Sequence, residues 1–408
     1  SNDRFDFSAE QPTPWHGASF YGGYRLGLGE FPVYYGNRQT ADGGEFRGGL
    51  MLPLLRDGDI DRRRALLRQA QYGEPLSEAV IRAARIDYFR AGAHRYWNWV
   101  VAGGQYEVGA NLLRIANERQ AGLEEQFRQG QVAEFVVVDN RRLIAEREGL
   151  LVVAERRWQQ AALELSLYLR DEVGEPVVPR AEWLPRLLFE LEPAPPTTDH
   201  LGSDVEIALG RRPEMLRFQL QKAQAALEVQ LADNQSLPAM NMAVGGTQDV
   251  GQGKKGVGIF QADRSSLEAS LMLEVPLQRR EALGKLQTAR AGMRQLLAQE
   301  RFTRDQIAVQ VQDAVSNLDR SHARWLRARE EQRIARQVTR LELDRFDKGQ
   351  GTLLDVTLRE MAAAAAQSTA LAALAEFFRA QADYRAALGD DTPYIEPHPE
   401  PPLEDAAP

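Results

Sequence analysis

Two stretches of the chain have one shape. FRQGQVAEFVVVDNR, Phe127 to Arg141, returns 219 residues later as FDKGQGTLLDVTLRE, Phe346 to Glu360. Phe127 matches Phe346, Gly130 matches Gly349, Gln131 matches Gln350 and Val137 matches Val356. Each stretch interrupts a long helical pattern with glycine. A glycine inside a helix costs about 1 kcal/mol relative to alanine, so the interruption has to serve a purpose. A tight reversal needs positive φ, which glycine supplies without a Cβ clash. The spacing predicts that one long helix turns back on an antiparallel partner at Gly130, and another at Gly349.

The flanking sequence repeats too. Residues 17–31, GASFYGGYRLGLGEF, alternate: Phe20, Gly22, Tyr24, Leu26 and Leu28 share one face, and Ser19, Tyr21, Gly23 and Arg25 the other. EFRGGLMLP, Glu45 to Pro53, reads as a second strand that ends at a residue unable to donate to a ladder. In the second half, PAMNMAVGGTQ and SLEASLMLEVP are strands. The latter puts Leu267, Ala269, Leu271, Leu273 and Val275 opposite Glu268, Ser270, Met272 and Glu274. Nine residues, 267–275, suffice to cross a bilayer when tilted.

The expected organisation is therefore a duplication. Residues 1–172 form a first repeat, with a strand pair at 17–53 and a helical hairpin at 59–171 whose tip is at 130. Residues 173–209 are Pro-rich and irregular. Residues 210–389 form the second repeat, with a helix at 213–234, a strand pair at 238–276 and a helical hairpin at 277–388 whose tip is at 349–351. Residues 390–408 are a Pro-rich tail. Pro53 to Gly130 is 77 residues and Pro276 to Gly349 is 73, a difference of about one helical turn, which the Gly73-Glu74-Pro75 interruption absorbs. Pro213 suits a first helical position. A 77-residue helical run reaches about 115 Å.

Composition excludes several function classes. A net charge of −8 and a pI near 5.4 do not fit nucleic-acid binding. The absence of cysteine removes disulfides, thiolate metal sites and cysteine nucleophiles. The five histidines lack ligand spacing, so no metal, cofactor or catalytic residues are expected. GQGKKG, Gly251 to Gly256, matches a dinucleotide fingerprint but lies between strands and reads as a loop. DGDID, Asp57 to Asp61, lacks the twelfth-position acid of a Ca²⁺ loop, because residue 68 is Arg, and reads as helix capping.

The N-terminal residues SNDRFDFSAEQPTPW contain no apolar signal core, which suggests either a cytosolic chain or a mature or trimmed one. No transmembrane helix is expected either. The best stretch, Met361 to Phe378, is Ala-rich and broken by polar residues. A membrane role then requires a closed barrel, since open sheet edges cannot face lipid. Trp15, Phe20, Tyr21, Tyr24, Phe31, Tyr34 and Tyr35 are candidates for an interfacial aromatic girdle.

The order of elements, the duplicated hairpin and the tip segment GQGTLLDV resemble the TolC family of outer-membrane efflux channels. So do RRPEMLRFQLQKAQAALEVQLADNQSLPAMNMAVGG and LMLEVPLQRREALGKLQTARA; the resemblance covers about residues 17 to 390. It implies a mainly α fold with a small β part. Coiled-coil helical hairpins would form a periplasmic tunnel, and four transmembrane strands per chain would enter a shared trimeric 12-stranded barrel. It also implies a homotrimer in outer-membrane lipid that works with a periplasmic membrane-fusion (adaptor) protein and an inner-membrane transporter.

The adaptor-docking candidates are Gly130, Gln131, Ala133, Gly349, Gln350, Gly351, Thr352 and Leu353. Asp355 is the candidate for a periplasmic constriction, and TLLD, Thr352 to Asp355, also fits a capping box. Three departures stand out. About 16 residues precede the first expected strand where the family has a helix, so a fragment that lacks its signal and first helix is expected; the sequence shows no counterpart of the family's N-terminal lipidation cysteine; and Val136 occupies the position that corresponds to Asp355. The function expected is a passive exit duct of a tripartite efflux or type I secretion system. The alternative is a soluble or periplasmic coiled-coil scaffold or adaptor without a barrel.

Overall fold

The computed structural model describes residues 2–29, 40–185, 190–197, 200–252, 261–262 and 265–393. By contacts the chain divides into two compact units, residues 1–79 with 216–302 and residues 80–215 with 303–408. Each unit draws on both halves of the sequence, so the units cut across the expected repeats.

The first unit is built on one antiparallel sheet. Its strands are β1 (Asp3–Pro12), β2 (Ser19–Leu28), β3 (Glu45–Pro53), β4 (Ala239–Asp249), β5 (Gln261–Ala262) and β6 (Ser265–Glu274). They run in the order β1-β2-β3-β4-β6-β5. The four strands expected from the sequence are all present, and among the described residues the sheet also holds β1 and the two-residue β5. β1 was not expected. Its Phe5, Phe7 and Ala9 alternate with Arg4, Asp6, Ser8 and Glu10, a short period of two within a segment that reads as polar.

Helix α1 (Arg62–Gln71) is capped by Asp61, whose Oδ1 accepts from the Arg64 N–H at 2.9 Å. This is the capping role read for DGDID. A single residue, Tyr72, separates α1 from α2 (Gly73–Arg128), at the interruption expected at Gly73–Pro75. In the first unit Ile60, Ala65 and Leu227 form a small core, with Tyr72 and Leu231 packed on it. The Asn234 Oδ1 accepts from the Asp57 N–H at 2.7 Å and anchors the end of α5 (Pro213–Asn234) to the turn after β3. Pro213 is the first residue of α5, as expected.

The second unit contains the bulk of α2 together with α3 (Glu134–Ser166), α4 (Leu201–Arg211), most of α6 (Arg280–Asp347) and α7 (Leu353–Ala387). Its core is aromatic. Trp97 stacks on Phe378 at 4.2 Å between centroids and 1° between planes, and Trp99, Val100, Leu165, Trp325, Leu371 and Leu374 surround the pair. Small residues of α7, among them Ala370, Ala373 and Ala375, sit in the same core and let the helices approach closely. By length and composition α7 is long and apolar enough to cross a membrane, against the expectation; here it packs this apolar stretch into the aromatic core.

The expectation of an irregular segment over 173–209 is corrected as well. Ala181–Trp183 form a short 3-10 turn, and α4 begins at Leu201. Ala208 joins Met215, Ile307, Val311, Ala314 and Ala387 in a buried cluster, against which Val205 and Leu209 pack. The spacing of 205, 208 and 209 is that of a helix face. Tyr384 donates to the buried Asp204 Oδ2 at 2.8 Å. Burial, and then this carboxylate, push the Tyr384 hydroxyl up to about 12.

Candidate functional site

Three features of these units bear on function: two helix reversals, a buried charge cluster between helices, and a sheet with two unlike faces.

The two reversals use the same atoms. At the end of α2, the Gly130 N–H donates to the Phe127 carbonyl at 2.9 Å and the Gln131 N–H to the Gln126 carbonyl at 2.8 Å. At the end of α6, the Gly349 N–H donates to Phe346 at 2.9 Å and the Gln350 N–H to Arg345 at 2.9 Å. Gly130 has φ +74° and Gly349 φ +69°. This is the left-handed glycine cap that satisfies the last carbonyls of a helix. A Cβ at either glycine would meet nothing within 4 Å, so only backbone conformation opposes a side chain there. Replacing Gly349 with Ala is expected to destabilise the second unit by roughly 1–2 kcal/mol, the cost of a left-handed non-glycine residue. A shift in the denaturant midpoint measures it, and an unchanged midpoint would mean that the reversal tolerates a different turn.

The helices that follow begin differently. Ala133, before α3, makes no side-chain cap. Before α7, the Thr352 Oγ1 accepts from the Asp355 N–H at 3.2 Å, and the Asp355 Oδ2 accepts from the Thr352 N–H at 3.3 Å. This reciprocal pair is the capping box expected from TLLD. The hydrogen bonds from the Thr352 side chain and backbone, with help from Arg345 and Arg359, hold the Asp355 carboxyl below its usual range.

Of the sequence-derived tip residues, Gly130, Gln131, Ala133, Gly349, Gln350, Thr352 and Asp355 are exposed, and Gly351 and Leu353 are half-buried. The sequence reading missed Phe135 and Leu354, 75% and 64% exposed, each five residues after its tip glycine. Val137 and Val356, two residues further on, are both buried. The repeat that already matches Val137 to Val356 also aligns Phe135 with Leu354.

Glu360 of α7 is buried and meets two arginines. The Arg119 Nη2 of α2 donates to its Oε1, and the Arg147 Nη2 of α3 lies 3.1 Å from its Oε2. The Arg147 Nη1 also donates to the Leu112 carbonyl at 2.5 Å. Glu360 is 4% exposed, Arg147 5% and Arg119 12%, so three helices share one enclosed charge cluster. Near it, the fully buried Asn140 of α3 donates to the Ala116 carbonyl at 3.1 Å and the Gln120 Oε1 at 2.8 Å, which sets the register of α3 on α2. Nothing local in the sequence marks these residues as neighbours, since 241 positions separate Arg119 from Glu360.

The register of the sheet sorts its side chains. One face carries Phe5, Phe7 and Ala9 of β1; Phe20, Tyr24 and Leu26 of β2; Phe46 and Leu50 of β3; Met240, Met242 and Val244 of β4; and Leu267, Ala269, Leu271 and Leu273 of β6. Much of it is exposed in the single chain, with Phe7 at 72%, Leu267 at 65% and Leu271 at 64%. The opposite face carries Asp6, Arg25, Glu45, Arg47, Thr247, Asp249, Glu268 and Glu274. Two ion pairs form on it: the Arg25 Nε and Glu45 Oε2 are 2.6 Å apart, and the Arg47 Nη2 and Asp6 Oδ1 2.7 Å. Tyr21 lies on this polar face, so it leaves the expected aromatic girdle. Its hydroxyl occupies the space that a Cβ at Gly49 or Gly245 would need. Trp15, Phe20 and Tyr24 are described, whereas Phe31, Tyr34 and Tyr35, like Gly253 to Gly256, lie outside the described residues.

Residues 205–390 match the family model of outer membrane efflux proteins. The whole fold is similar to solved channels. The CmeC outer membrane channel of Campylobacter jejuni superposes with a TM-score of 0.64 at 14% identity, over 97% of this chain and 79% of that one. VceC of Vibrio cholerae gives 0.63 at 19%, over 95% and 87%. The open state of MtrE of Neisseria gonorrhoeae gives 0.63 at 17%, over 95% and 80%. The chain is TolC-like. With that resemblance goes a location in the cell outer membrane, extending into the periplasm. The family matched is one of channel proteins rather than enzymes, and these likenesses support an outer-membrane duct of an efflux system. A comparison with curated protein sequences returns no match.

Proposed function

We propose that this TolC-like chain is the passive exit duct of a tripartite efflux or type I secretion system, assembled as a homotrimer. The observation that carries this is the division of the sheet into an apolar and a charged face across β2, β3, β4 and β6. An apolar face exposed on every strand suits lipid outside, and the charged residues on the other suit a wet lumen. Four antiparallel strands from each of three chains would close one barrel and leave no edge in the hydrocarbon. The chain then reads as two copies of one unit, residues 1–172 and 210–389. It needs no catalytic residues, because a partner pump supplies the energy.

The exposed reversals at Gly130–Ala133 and Gly349–Leu353 are the proposed docking points for a periplasmic adaptor, which in turn joins an inner-membrane transporter. Phe135 and Leu354 add apolar anchors to them. The test is extraction from membranes followed by particle imaging. A three-fold particle that needs detergent supports the duct, and a detergent-independent monomer or rod supports a scaffold instead.

Asp355 is the proposed constriction residue. Replacing it with Ala is expected to raise basal conductance in planar bilayers and to lower thermal stability modestly through loss of the capping box. The capping contribution has a defined pH dependence. Because the folded carboxyl is held low, the contribution is complete above the usual aspartate range and is lost as pH falls through the lowered value. Unchanged conductance with a lowered melting temperature would leave Asp355 as a cap alone.

A further inference from the structure

The closure just proposed conflicts with β1, and the conflict points to what β1 does. Along the sheet the strands alternate in direction, so β1, β3 and β6 run one way and β2 and β4 the other. Among the described residues five strands have spanning length. β5 has two residues, far short of the roughly 9–11 a bilayer requires. Rotation about the barrel axis keeps every strand direction. A ring closed through β1 would therefore set β1 of one copy parallel to β6 of the next. A ring closed through β2 would set β2 antiparallel to that β6, in keeping with the rest of the sheet.

β1 imitates the strand that would pair there. It runs antiparallel to β2 over ten residue pairs, Asp3↔Leu28 to Pro12↔Ser19. It has the direction that a neighbour's β6 would have, and it continues both faces, with Phe5, Phe7 and Ala9 on the apolar side and Asp6 and Glu10 on the polar side. All ten of its residues are exposed. Its side-chain contacts include Asp6 on Arg47 at 2.7 Å and Glu10 on Arg63 at 3.4 Å, and the second pair is well exposed. Exposed pairs of that kind contribute little. An uncovered β2 would present a long, flat, apolar edge, the feature that drives uncontrolled pairing between chains.

We infer that β1 is a stand-in for a second copy of this chain: it covers the β2 edge of the free protomer and leaves when the β6 edge of a neighbour docks there. The inference rests on the trimeric duct reading. The consequence is an assembly step gated by strand exchange, in which the protomer stays protected until partners are at hand.

The test is a reversible lock. Ala9 and Gly22 are register partners, and a Cβ at Gly22 meets nothing within 4 Å. The chain has no cysteine of its own, so A9C/G22C forms one defined disulfide. The locked and reduced forms of the full chain are compared in lipid vesicles by cross-linking, with circular dichroism confirming equal helix content. Loss of the trimer on oxidation and its return on reduction is the expected result. Trimers from both forms would overturn the stand-in role and leave the duct reading intact. No oligomer from the reduced form or from the unaltered chain would overturn both. A second variant, D6A/E10A, loosens β1 and is expected to trimerise faster than the unaltered chain; slower or equal assembly counts against the inference.

Discussion

Replacing Glu360 with Ala is expected to destabilise the protein by about 3–5 kcal/mol, the usual cost of removing one partner from a buried ion cluster. Glu360 is 4% exposed and is the acid shared by Arg119 and Arg147. Without it, two guanidinium groups face each other across the contact of α2, α3 and α7. Only the Arg147 Nη1 keeps its hydrogen bond, to the Leu112 carbonyl. The unfolding midpoint in guanidinium measures the effect. The informative comparison is a triple replacement by apolar residues of similar volume, R119M/E360L/R147M. If desolvation and Coulomb attraction nearly cancel in the native cluster, the triple variant recovers most of the loss or exceeds the parent. A single variant that loses less than about 1 kcal/mol would mean that the cluster is hydrated and contributes no more than a surface pair.

Replacing Leu271 with Arg is expected to cost about 2–4 kcal/mol of folding free energy in a bilayer, the range for a cation on the lipid face of a barrel near its midplane. Leu271 lies on β6 opposite Met242 of β4, on the apolar face, and is 64% exposed in the single chain. Its neighbour Ser270 faces the other way. S270R is therefore the matched control, and it is expected to lie within about 0.5 kcal/mol of the parent, as for an ordinary exposed substitution. Folding titrations into lipid vesicles give both values. The pair also separates the duct from a scaffold in water. If water wets the apolar face, L271R improves solubility and costs nothing, and the asymmetry between positions 270 and 271 disappears.

Much of this was legible before any coordinates, and the reason is physical. Glycine at 130 and 349 is read correctly as a reversal because the φ value it allows is a property of one residue. The break at Gly73–Pro75, the start of α5 at Pro213 and the capping box at Thr352–Asp355 are likewise settled within four residues. The faces of β6 follow from a period of two, which Leu267 to Glu274 keep except at Met272. β1 keeps the same period in Phe5, Phe7 and Ala9, but its charged alternate positions make the segment polar overall. α4 was hidden in the same way by the Pro-rich sequence before it, although Val205, Ala208 and Leu209 kept a helical spacing.

The sequence by itself thus determined the local grammar of this protein: where helices reverse, where they are capped, and which way β2 and β6 face. Tertiary structure alone decided that Glu360 sits between Arg119 and Arg147, that Asn140 reaches Ala116, that Tyr21 lies across Gly49 and Gly245, and that β1 occupies the edge of β2. Backbone preference acts over a few residues, so composition and spacing record it. The enclosed charges and the strand order depend on which distant segments exclude water from one another, and no local pattern records that.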